Sequence, residues 1–170
     1  MTEFLEGRQI IADAVDDNVI ARKLTDEERI ALKAHADTIR DNWEMVFAEA
    51  VFKYAGQSFE ALSDLKDGVT TDPKEYYKLW GELKGFMMAL QYGGVDARIS
   101  KSKFEEIDNL IGYGPVMHPS GDQVTGIDGS DEFIVTAANS TVDQYLADLQ
   151  EVQELVDDFY TLKAKQRDNR

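Results

Sequence analysis

Apolar residues recur at intervals of three and four through most of this chain, the spacing that lines side chains along one face of a helix. The strongest instance runs from Tyr76 to Tyr92. There Tyr76, Leu79, Trp80, Leu83, Phe86, Met87 and Leu90 form a single core-facing stripe. Thr71 or Asp72 is placed to cap this helix with Pro73 in its first turn, and Gly93-Gly94 is expected to stop it. Gly81 and Gly85 lie inside it, each costing roughly 1 kcal/mol relative to alanine. Their four-residue spacing predicts a side where a neighbouring helix approaches closely.

The same periodicity organises the flanking segments. Phe4, Ile11, Val15 and Val19, interrupted by Gly7, predict a first helix ending near Lys23. Thr25 with Glu28 three residues on is a capping box. It opens a long helix whose face is Leu32, Ala36, Ile39, Trp43, Val46, Phe47, Ala50 and Tyr54, with Trp43 and Phe47 as anchors and Gly56 as its end. Gln57 to Leu65 reads as a further short helical turn. Ser100 or Ser102 starts a helix carrying Phe104, Ile107, Leu110 and Ile111, and Ser140 or Thr141 starts a last one from about Asn139 to Gln166. Its stripe is Val142, Tyr145, Leu149, Val152, Val156 and Phe159. Between these two, a region from about Gly112 to Ala138, rich in glycine and proline, reads as one long irregular loop. The pattern predicts one all-α domain over the 170 residues, an up-and-down bundle of three long and two or three short helices.

Composition narrows the functional classes. The chain holds 18 basic against 33 acidic residues, a formal charge of −15, so its surface repels phosphate backbones and nucleic acid is excluded as a partner. Cysteine is absent, which removes disulfides, thiolate zinc sites and cysteine nucleophiles. No apolar run approaches the roughly 18 residues that a membrane span requires. The sequence carries no GxSxG turn, P-loop or dinucleotide fingerprint, and no zinc-peptidase ligand set, so a catalytic role is not expected.

Candidate chemistry centres on the Tyr76 to Tyr92 helix. Glu82 sits between Trp80 and Phe86, and a carboxylate held against aromatic surface has the profile of an acid/base or ligand group. Lys78, four residues earlier, is its expected ion-pair partner. Trp80, Glu82, Lys84 and Lys78 therefore form a candidate ligand-binding set, with Trp43 and Glu44 added from the preceding long helix. Glu44 and Glu49 flank the aromatic stripe and are able to reach the bundle interior from its edge. His35 and His118 are each isolated, and no Glu-x-x-His pair occurs, so a di-iron bundle site is not expected. A second candidate is the oxygen-rich loop bearing Asp122, Asp128, Ser130, Asp131 and Glu132. Its composition suits a hard cation such as calcium, although its spacing is not that of an EF-hand.

Two passages together resemble a known family. TIRDNWEMVFAEAVFKYAGQSFEAL and LWGELKGFMMALQYGGVDARISKSKFEEIDNLIGYGP, preceded by GRQIIADAVDDN, are similar to the C-terminal half of an imelysin-like bacterial family of unknown function. The resemblance spans roughly Phe4 to Val116. In that family's pattern a histidine is followed by tryptophan, glutamate and a Gly-Phe pair. Here Trp80, Glu82, Gly85 and Phe86 match, and Lys78 stands at the histidine position. The resemblance implies an extracytoplasmic helical-bundle protein of the periplasm or cell surface, carried by a longer precursor with a leader. It further implies a second bundle or a homo-oligomer, an envelope protein or small ligand as partner, and iron as the associated metal.

Overall fold

The computed structural model describes residues 2–13, 23–137 and 141–161. Among them are five α-helices and one small hairpin: α1 (Thr2–Asp13), α2 (Asp26–Lys66), α3 (Lys74–Ala89), α4 (Lys101–Ile111), β1 (Asp122–Ile127), β2 (Phe133–Ala137) and α5 (Val142–Tyr160). The fold is predominantly all-α, as the periodicity predicts. None of the described helices is long and apolar enough to cross a membrane.

The spine is α2, whose 41 residues extend about 60 Å at the helical rise. Its start follows the sequence closely: the Thr25 hydroxyl accepts from Glu28 N at 3.2 Å, and Glu28 Oε2 accepts from Thr25 N at 2.8 Å. Its end does not. The helix continues through Gly56, so the expected short turn from Gln57 to Leu65 is its last stretch. Gly56 serves packing instead of termination. A β-carbon there would stand 2.6 Å from Gln153 Nε2, and that amide donates to Phe52 O at 2.9 Å, tying α5 to α2.

The buried stripe of α2 runs one residue later than expected. Glu44, Ala48, Val51 and Ala55 are inside, not Trp43, Phe47, Ala50 and Tyr54. Trp43 is 56% exposed and Val46 51%, so neither is a core anchor. Both α3 and α5 pack on α2, and the small residues Ala48, Ala55 and Ser58 face this crowded seam. The aromatic residues are displaced to its flank, where Phe47 and Tyr54 meet Phe86 of α3 with ring centroids 6.4 and 5.5 Å apart.

Helix α3 buries the residues its pattern assigns: Tyr76, Leu79, Leu83 and Met87. Full burial of a leucine or methionine side chain stabilises by about 1.5–3 kcal/mol. Lys74 N is held by Asp72 Oδ1 at 3.1 Å. Gly93 and Gly94 do not stop the chain, which tightens into a 3₁₀ helix over Leu90–Asp96 and passes through both. Gly81 and Gly85 face outward with no side chain or backbone within 4 Å of a built β-carbon, so they mark no close helix approach.

On α1 the expectation inverts. Phe4 and Ile11 are about half exposed, and Gly7 is the buried residue, lying 3.5 Å from Leu32 and 3.8 Å from His35 at the position a β-carbon would take. Val15, Val19, Ala138, Asn139, Ser140 and Gln166, named above, lie outside the described residues. Thr141 caps α5, and Tyr145, Leu146, Leu149, Val152, Val156 and Tyr160 fill the core from it.

The region expected to be irregular contains the hairpin. β1 and β2 pair antiparallel with a bulge between Val124 and Gly126, and Val116 forms one further bridge to Gln123. The β-branched runs QVTGI and FIVTA on either side of an Asp-Gly-Ser turn carry this signal, which helical periodicity obscures.

Candidate functional site

The residues singled out on α3 act mainly as structural links. Trp80 Nε1 donates to Tyr145 Oη at 2.8 Å, and that hydroxyl donates to Ile111 O at 2.8 Å. One indole thus joins α3 to α5, and the tyrosine carries the link to the last carbonyl of α4, that of Ile111. Burial pushes the Tyr145 hydroxyl well above the usual tyrosine range. Lys84 spans to α4, with Nζ 2.6 Å from Asp108 Oδ1.

Glu82 does not pair with Lys78. Lys78 reaches Glu75 at 3.5 Å, whereas Glu82 lies near the Tyr54 hydroxyl across the α2–α3 flank. The nearby Glu82 carboxylate, then burial, raises the Tyr54 pKa, because a neutral phenol is favoured beside a negative charge. Glu82 is half-buried beside aromatic surface, as its sequence context suggests, and its near neighbour is a tyrosine instead of Lys78.

The deeply buried carboxylate belongs to Glu44, only 3% exposed. Glu44 Oε1 accepts from Ile99 N at 2.8 Å and Tyr160 Oη at 2.6 Å, and Oε2 accepts from Arg98 N at 2.9 Å. The Arg98 guanidinium lies over the Tyr160 ring, 5.5 Å from its centroid. Burial, then the Glu44 bond, pushes the Tyr160 hydroxyl upward. This carboxylate pins the 3₁₀-to-α4 connection and the end of α5 onto α2.

The proposed hard-cation ligands are not brought together. Asp122 opens β1 while Asp128 follows its other end, about 20 Å apart along an extended strand of this length. Asp128 Oδ1 accepts from Ser130 N at 2.7 Å and Glu132 N at 3.1 Å, folding the turn on itself. Asp131 sits in the left-handed region at φ 60° within that turn.

Two features had no signal in the linear pattern. The first is a groove of about 480 Å³ lined by Glu3, Phe4, Ile39, Asn42, Trp43 and Val46. A second hollow of about 200 Å³ continues from the other side of Trp43 toward Phe47 and Tyr92, the latter 88% exposed. The second feature is a convergence of Glu3 and Glu6 of α1 on His35 of α2, with carboxylate oxygens 2.5 and 3.6 Å from Nδ1. Residues 32 and 29 positions apart in sequence meet here, so only the packing of α1 on α2 reveals them. Comparison with known proteins finds no matching family model, no matching curated protein and no matching solved structure.

Proposed function

We propose that this chain is a non-catalytic helical-bundle binding module of the bacterial cell envelope, similar to the imelysin-like proteins, that docks a partner protein on the face around Trp43. The observation that carries the reading is the exposure of Phe4, Trp43, Val46 and Tyr92, with Trp43 lining two hollows that these residues share. A large aromatic side chain set in a groove is the residue type that dominates binding energy at interfaces, and Trp43 contributes little to the core it was expected to anchor.

The proposed occupant is an amphipathic segment with apolar anchors and basic flanks. Its charge follows from Glu3 in the lining of the groove and from the net charge of −15. The match of Trp80, Glu82, Gly85 and Phe86 to the imelysin-like pattern supports the envelope assignment. Nothing about Glu82 favours a second reading as a catalytic acid.

Photo-crosslinking inside bacterial cells tests the docking face. A photoreactive residue at Trp43 or Val46 is expected to give a discrete adduct, and one at Gly81, on the outer side of α3, none. Equal labelling at all three positions, or adducts composed only of this chain, would overturn the reading. Fractionation of the cells tests the envelope assignment separately.

A further inference from the structure

We propose that Glu3, Glu6 and His35 form a binding site for a divalent first-row transition-metal cation of the zinc class, which clasps α1 to α2. The three residues each offer one ligand atom, and these atoms lie within 4.8 Å of one another. They form the one such group of three or more metal-ligating side chains among the described residues.

The two carboxylates present more acceptor oxygens than one imidazole nitrogen uses. Glu3 and Glu6 are three residues apart on α1, so their side chains rise from the same face and converge on one imidazole nitrogen. Nδ1 has one hydrogen at most to donate, and Glu3 takes it at 2.5 Å. Glu6 is left at 3.6 Å, outside hydrogen-bond range yet directed to the same point. Two like charges meeting beside a single donor repel one another, and a positive charge held between them, imidazolium or metal, offsets this.

Distances decide whether the set can close on a metal. Ligand atoms bound tetrahedrally at 2.0–2.2 Å stand roughly 3.4 Å from one another. The Glu6 oxygen is already at that separation from Nδ1, and Glu3 must withdraw by about 1 Å, a rotation open to a side chain 40% exposed. His35 is fixed more firmly: its side chain is 20% exposed and its β-carbon lies against Gly7. The absence of a β-carbon at Gly7 lets the two helices come close enough for this convergence.

One imidazole nitrogen and two carboxylate oxygens suit zinc, manganese or ferrous iron. Calcium, which takes six to eight oxygens at longer distances, is served poorly. The consequence is mechanical. α1 buries only Gly7, so a cation bridging it to His35 supplies an attachment that its apolar residues do not. Because Glu3 and Phe4 also line the Trp43 groove, the same cation fixes one wall of that groove.

The test is calorimetric titration of the chelator-treated 170-residue chain with Zn²⁺, and with Ca²⁺ as comparator, followed by amide exchange of α1 with and without Zn²⁺. The expected result is saturation at one equivalent of Zn²⁺, much weaker Ca²⁺ binding and slower exchange across α1. His35→Gln and Glu6→Gln each weaken Zn²⁺ binding by at least about tenfold and abolish the slowing, while His118→Gln changes neither. Glu6 is about half exposed, so Glu6→Gln keeps the test meaningful if the His35 variant folds poorly. Binding that is unsaturable, that survives in His35→Gln, or that is lost equally in His118→Gln would overturn the proposal, since the acidic surface or another site then holds the metal. The crosslinking result at Trp43 does not depend on this outcome.

Discussion

Replacing Glu44 is the perturbation that most directly probes how this bundle is held. In the native protein its carboxylate accepts three hydrogen bonds, from Tyr160 Oη, Ile99 N and Arg98 N, at 2.6–2.9 Å in a site that is 97% closed to solvent. Glutamine preserves the volume but presents an NH₂ group where one oxygen accepted. At least one donor then faces another donor, and the charge assistance of the remaining bonds is lost. Hydrogen bonds to a charged group contribute about 1.5–3 kcal/mol each, and an orphaned buried donor costs about 1–3 kcal/mol. The expected destabilisation for Glu44→Gln is therefore about 3 kcal/mol, and for Glu44→Ala about 4 kcal/mol, since all three donors lose their acceptor. For a domain of this size, 3 kcal/mol lowers Tm by about 6–12 °C.

Urea denaturation of Glu44→Gln, Tyr160→Phe and the double variant measures both the loss and its coupling. The exposed neighbour Glu49→Gln is the control, expected to fall within about 0.5 kcal/mol of wild type. The Glu44–Tyr160 pair should show a coupling energy of about 1 kcal/mol or more. A Glu44→Gln midpoint indistinguishable from that of Glu49→Gln would refute the role assigned to this carboxylate.

The remaining predictions concern the core tyrosines, the outward glycines and the displaced stripe. Burial, the largest cause in each case, raises Tyr76, Tyr145 and Tyr160 above the ordinary tyrosine value. Their stabilising contribution is complete below the unfolded pKa near 10 and is lost as pH rises above it, because the unfolded chain then holds about three fewer protons. Denaturation against pH should be flat with respect to these groups up to about pH 9.5 and then fall by about 4 kcal/mol per pH unit, with Tyr145→Phe reducing that slope by about a third. Gly81→Ala and Gly85→Ala should each raise stability by about 0.5–1 kcal/mol, since neither β-carbon meets a neighbour. A loss in either would show a contact on that face. Trp43→Ala should cost less than about 1 kcal/mol despite the size of the side chain, whereas Ala48→Leu, in the fully buried seam, should cost about 1–3 kcal/mol. Thermal melts compare the two directly, and the reverse order would restore Trp43 as a core anchor.

Sequence alone determined the elements whose apolar stripe has only one solution. On α3 the residues at Tyr76, Leu79, Leu83 and Met87, and on α5 those at Tyr145, Leu149, Val152 and Val156, are buried as their spacing requires. No competing face is as apolar. The capping box at Thr25 was equally legible, and Ser100 and Thr141 were each one of two candidates, because a cap is satisfied within a few residues of chain. On α2 two stripes lay side by side, one aromatic and one of small residues. Tertiary structure decided between them, since two helices crowd the same side and only small side chains let them approach. Glu44 became buried by that one-residue rotation, and its donors come from residues 98, 99 and 160, far along the chain. The hairpin was hidden by a different ambiguity, as short β-branched runs among glycines read equally well as loop. The meeting of Glu3, Glu6 and His35 was set by how closely Gly7 lets α1 lie on α2, a distance that no local pattern encodes.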